Sequence, residues 1–96
     1  MNLQPFIQLV TGACHASAFD AGTHEAKLKF GNNGFTGSIA DKGLFILIRC
    51  PKTHEPKAYA ERLLDSHDPR ICDMWSPAGM IQQGPGAWWA FGFSAV

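Results

Sequence analysis

Net charge, long apolar runs and cysteine are all scarce in this 96-residue chain. Eight basic and eight acidic side chains cancel, so the basic excess that nucleic-acid binding draws on is missing. At 46% hydrophobic the chain is too apolar for a disordered polymer. No apolar stretch nears the ~20 residues that a membrane-crossing helix requires; the longest are Leu44–Ile48 and Ala87–Phe93. The N-terminal residues carry no basic cluster ahead of an apolar run, which predicts no signal peptide and a cytoplasmic protein. Three cysteines without CxxC spacing point to free thiols in a reducing compartment rather than to a disulfide framework. The length suits one domain spanning residues 1–96, which buries about 60–70% of the surface its unfolded form exposes.

The charges that are present are segregated. Every Lys, Arg, Asp and Glu lies between Asp20 and Asp73, and the first 19 and last 23 residues carry none. Mixed signs within the middle, such as Glu25 near Lys27 and Lys29, describe a solvated face. The two uncharged ends must either pack against each other or be covered by something else.

Local patterning predicts an α+β fold: an antiparallel meander of 4–5 strands with one principal helix packed on one face. Phe6–Thr11 reads as a strand entered through Pro5, and residues 12–22 as a loop. In Glu25–Phe30 charged and apolar residues alternate, as in a half-buried strand. Gly31–Gly34 supplies hairpin-turn chemistry, and Phe35–Ile39 returns as the partner strand. Leu44–Ile48, after a turn at Asp41–Gly43, reads as a strand covered on both faces. Pro56 suits the first position of a helix whose stripe is Ala58, Tyr59, Leu63 and Leu64, ended by Asp68-Pro69. Ile71–Trp75 reads as a short extended piece, Ser76–Gly79 and Gly84–Gly86 as turns, and Ala87–Ser94 as the last strand.

Two groups of residues could carry chemistry. Cys50, His54, His67 and Cys72 stand as two close pairs flanking the helix, which is how zinc ligands are supplied. The spacing resembles that of the C2H2 zinc finger, including Leu64 three residues before His67, although the order here is Cys-His-His-Cys. The resemblance covers Cys50–Cys72 and implies a zinc-stabilised domain. Without metal, Cys50 and Cys72 are small buried hydrophobes and His67 favours a helix C-terminus. Cys14, with His15, His24 and Asp20 nearby, raises a thiol enzyme, yet neighbours on an extended chain point apart. The glycines of Gly31–Gly37 match no phosphate-binding motif.

The aromatics favour a different function. Trp88 and Trp89 are adjacent in a strand, so their indoles occupy opposite sheet faces. Either both faces are covered, or one indole joins Trp75, Met74 and Met80 in a binding patch of the kind that anchors protein interfaces. The expectation is therefore a small non-enzymatic interaction module without cofactor. An inhibitor or accessory protein of the phage or mobile-element (anti-defence) type is one such module. Its partner is another protein or a second copy of the chain, with neither nucleic acid nor membrane involved.

Overall fold

A computed structural model describes residues 2–31 and 36–96. Four strands form one sheet: β1 (Leu3–Thr11), β2 (Phe45–Leu47), β3 (Ala78–Gly84) and β4 (Ala87–Ala95). Two helices, α1 (His15–Phe30) and α2 (Pro56–Asp65), complete the α+β domain with a 3₁₀ turn at Ile39–Asp41. Strand order is β1-β4-β3-β2. β4 pairs antiparallel with both β1 and β3, but β2 runs parallel to β3 with Phe45 opposite Ala78. The sheet is thus mixed rather than a pure antiparallel meander. The parallel pair arises because β2 and β3 are joined through α2, the crossover that parallel strands require.

The helices lie on opposite faces of the sheet, so neither is the single principal helix that the sequence suggests. Beneath α1, Phe19, Ala18 and Ala26 pack with Val10, Met80, Trp88 and Ala90. Beneath α2, Ala60, Leu63 and Leu64 pack with Ile81, Phe91, Phe93 and Ile48. Alternate residues of the central strand β4 therefore feed two cores. Phe45 packs on the first core and Ile46 on the second, both only partly buried, while Leu44 and Leu47 are exposed. The two-faced cover expected of Leu44–Ile48 is therefore incomplete, because β2 is an edge strand.

The largest departure from the sequence reading is α1. It replaces both the loop over 12–22 and the strand over Glu25–Phe30. Its buried stripe is Ala18, Phe19, Gly22, Thr23 and Ala26, at helical spacing and small apart from Phe19. The Glu25–Phe30 alternation misleads because Leu28 and Phe30 are 76% and 50% exposed. Cys14 caps the helix: its N–H donates to Ser17 Oγ at 3.1 Å and its sulfur accepts from the Ser17 N–H. Lys27 and Lys29 occupy the last turn, where the helix dipole favours cations. Any side chain is excluded at Gly22, where a Cβ would overlap Val10 Cγ1.

The expected turn at Gly31–Gly34 and the start of the returning strand Phe35–Ile39 fall on residues 32–35, outside the described residues; the described part, Gly37–Ile39, bends into the 3₁₀ turn rather than running as a strand. Asp41 fixes that bend by accepting from Thr36 N–H (2.7 Å), Thr36 Oγ1 (2.9 Å) and Gly37 N–H (3.2 Å). The Ser94 hydroxyl on β4 also donates to Asp41.

α2 begins at Pro56 as expected and ends in a Schellman motif. His67 N–H donates to Leu64 O at 3.1 Å and Asp68 N–H to Leu63 O at 3.1 Å. His67 takes the left-handed conformation there, with φ 52°. Residues 71–75 form turns rather than an extended piece. β3 was hidden in the sequence by Pro77, Gly79 and Gly84, which read as turn residues. Gly79 is a close approach inside the strand instead: a Cβ would stand 2.6 Å from Phe91 Cζ and 3.0 Å from Ile48 Cδ1.

Candidate interaction surface

The loop joining α2 to β3 is built around two ionic side chains. Asp73 Oδ1 accepts from Trp75 N–H (2.7 Å), Ser76 N–H (2.8 Å) and Ser76 Oγ (3.1 Å). This is an Asx turn. From beneath, Lys42 Nζ donates to the carbonyls of Ser76 (2.8 Å), Asp73 (3.2 Å) and Met74 (3.2 Å). An ammonium has three donors and no acceptor, so three carbonyls satisfy it fully. That accounts for a lysine only 5% exposed. Burial pushes its pKa below the ordinary lysine value, while Asp73 and Asp41 pull it back up. The Asp73 carboxyl is held below the usual carboxylate range, first by the Trp75 N–H and then by Ser76 and Lys42.

The loop so pinned holds Trp75 in water at 84% exposure, beside Leu44 at 74%. Leu44, Met74, Trp75 and Pro77 line a shallow cavity of about 220 Å³ at the N-terminal end of β2. At the C-terminal end of the parallel pair lies a larger cleft of about 510 Å³. Leu47, Met80 and Trp88 give it apolar walls; His15, Arg49 and Gln82 are its polar lining.

Of the four interface residues expected from sequence, Trp75 and Met74 share this surface and Trp88 and Met80 do not. Trp88 is 7% and Met80 1% exposed, because both point into the core beneath α1. Trp89, on the other face, is half-buried; its Nε1 donates to Gln83 Oε1 at 2.6 Å and Lys57 Nζ sits 5.2 Å from its ring centroid. Leu44, Lys42 and Asp73 were missed. The Asp73…Ser76 spacing is a turn signal, whereas nothing local marks Lys42 as buried.

The Cys-His-His-Cys constellation is not assembled. Cys50 and His54 precede α2 while His67 and Cys72 follow it, separated by ten helical residues, about 15 Å of rise. Cys50 Sγ donates to the carbonyls of Pro51 and His54 at 3.4 Å. His54 packs edge-on against Tyr59 at 5.1 Å, with its Nε2 3.3 Å from Arg62 Nη1. His67 stacks on Phe93 at 5.0 Å, and Cys72 Sγ donates to Pro69 O at 3.7 Å. Among the described residues no three His, Cys, Asp or Glu side chains are grouped to hold a metal.

Cys14 is exposed at the N-cap of α1, and its thiol pKa is drawn down, chiefly by the Ser17 N–H. His15 turns away from it to pack edge-on against Phe45 (5.7 Å) and Trp88 (6.5 Å). His24 is ten residues along the helical path from Cys14, again about 15 Å of rise. The thiol–imidazole pair that a cysteine enzyme needs is therefore not formed.

No helix among the described residues is long and apolar enough to cross a membrane. No protein-family model, curated protein or solved structure matches the chain.

Proposed function

We propose that this chain is a small non-enzymatic protein–protein interaction module that docks through the Leu44–Trp75 surface, as inhibitors and accessory proteins do. The observation that carries this reading is the bracing of Trp75: Lys42 and Asp73 together make six hydrogen bonds to the loop that holds the indole in water. A rigidly presented tryptophan loses little freedom on binding, and tryptophan is the residue type most enriched among energetic anchors. Leu44 and Met74 supply apolar area around it.

The test is affinity capture from source-cell lysate with the wild type, Trp75→Ala and a control, Leu9→Ala. Leu9 is also exposed, at 46%, but belongs to the other sheet edge. A protein retained by wild type and Leu9→Ala but lost by Trp75→Ala supports the reading. Equal capture by folded Trp75→Ala refutes it.

A further inference from the structure

We infer that the partner at this surface is a second copy of the chain, joined edge to edge through β2 about a two-fold axis passing beside Ile46. This deepens the interaction-module reading and rests on it.

The two edges of the sheet differ. β1 carries Pro5 within the strand, a residue that removes a donor and blunts an edge against pairing. β2 has no such protection. Residues 44–48 contain neither proline nor charge, Leu44 and Leu47 are 74% and 55% exposed, and no described strand pairs with the outer side of β2. An unguarded apolar edge is a template for another strand.

The backbone of β2 is self-complementary. Leu44 C=O accepts from Ala78 N–H and Ile48 N–H donates to Met80 O. Even-numbered residues therefore direct their peptide groups at β3, and Phe45 and Leu47 direct theirs outward. An antiparallel copy centred on Ile46 sets Phe45 opposite Leu47 of the second copy and Leu47 opposite its Phe45. Each pair exchanges two N–H···O=C bonds, making four across the axis.

The same register matches the side chains and the charges. Leu44 falls opposite Ile48 of the second copy, and Gly43 opposite its Arg49. The apolar Leu44–Trp75 end of each copy thereby lies beside the Leu47–Arg49 end of the other's β2, twice over. Arg49 is exposed and has no ion pair among the described residues. In the dimer it comes beside the loop that bears the exposed Asp73. The formal net charge of zero leaves no long-range repulsion between copies. An unrelated peptide would gain the four backbone bonds only, without the doubled contact of Trp75 that symmetry supplies.

Sedimentation velocity from micromolar to millimolar protein tests the inference. A reversible dimer is expected, weakened at least about tenfold by Trp75→Ala, since anchor tryptophans carry effects of that size. The decisive pair is Leu47→Lys and Leu47→Glu. The two copies of residue 47 lie diagonally across the axis on one face, within reach of long side chains. Each variant alone repels itself and stays monomeric, and the equimolar mixture recovers the dimer. Leu47 and Trp75 are exposed, so thermal melts of all three variants should match the wild type at concentrations below its dimerisation, where association adds no stability. A wild type that is monomeric at millimolar concentration overturns the inference. So does a dimer indifferent to these substitutions, or a mixture that fails to recover. If the chain is monomeric yet captures another protein through Trp75, the interaction-module reading stands and only the second copy is wrong. If Trp75→Ala changes neither, both fall.

Discussion

Replacing Lys42 with Met tests the bracing of the loop directly. Met keeps an unbranched stem of similar length, so the packing of the stem whose Cε lies beside Gly92 is largely retained. What disappears is the ammonium and its three bonds to Asp73, Met74 and Ser76 carbonyls. Hydrogen bonds to a charged group contribute about 1.5–3 kcal/mol each, and leaving their partners unpaired in the interior costs a further desolvation term. Two effects reduce the total. The lost lysine no longer has to be desolvated, and the loop is open to water on its outer side, with Asp73 and Trp75 exposed. The expected net loss is about 2–3 kcal/mol. In a domain of this size each kcal/mol moves Tm by ~4–8 °C, so the melting midpoint should fall roughly 8–24 °C. Hydrogen exchange supplies the local readout: the Trp75 and Ser76 amides, bonded to Asp73 in the wild type, should lose protection beyond what the global destabilisation explains. Lys42→Arg should not rescue, because a planar guanidinium cannot aim three donors around one point as an ammonium does. A Lys42→Met protein that melts with the wild type and keeps those amides protected would refute the bracing.

Three further outcomes are expected. Gly22→Ala forces a methyl into Val10 on β1 and should cost about 1–3 kcal/mol in denaturant unfolding; Gly43→Ala, with nothing within 4 Å of the added carbon, should be neutral or stabilise by up to ~1 kcal/mol. Asp73 has a folded pKa below its unfolded value of 3.8, so its contribution is fully present above that value and is lost as pH falls through the folded one. Carboxyl NMR titration should place its midpoint below 3.8 and move the Trp75 amide in step, and a midpoint at or above 3.8 would contradict the Asx turn. Cys14, exposed and lowered by Ser17, should be alkylated near neutral pH before the partly buried Cys50 and Cys72, and Ser17→Ala should slow it.

The parts of the fold legible in the sequence are those whose local chemistry and tertiary role agree. Pro56 and the Leu63–Leu64 stripe mark α2, and the apolar runs at Phe6–Thr11 and Ala87–Ser94 mark the two long strands that pair over nine residues. α1 was illegible because, Phe19 apart, its buried face is made of Ala18, Gly22, Thr23 and Ala26. Residues so small carry almost no hydrophobic contrast, and they are used because the helix must lie close on Val10. β3 was illegible for the reverse reason: Gly79 looks like punctuation, yet the strand needs it to admit the Phe91 ring. The parallel register of β2 is set by a strand thirty-odd positions away and has no local signature. At the site, residue type alone singled out Trp75 and Met74. The burial of Lys42 depends on three carbonyls distant in sequence, which no spacing announces.

The charge-free ends acquire a physical meaning from this topology. β1 and β4 come from the two uncharged segments, and they pair with each other through the full length of both strands. β4 is then enclosed by β3 and by a helix layer on each face. Charge is absent there because an ionised side chain in that strand would meet no partner. Met74 and Trp75 begin the same uncharged tail but obey a different constraint. The last acidic residue, Asp73, and the buried Lys42 grip the loop from two sides and keep the indole out of the core. One uncharged stretch thus serves two ends: the fold covers its strand, and its first tryptophan is held in water by two ionic groups from the charged middle, in the place where a partner can cover it.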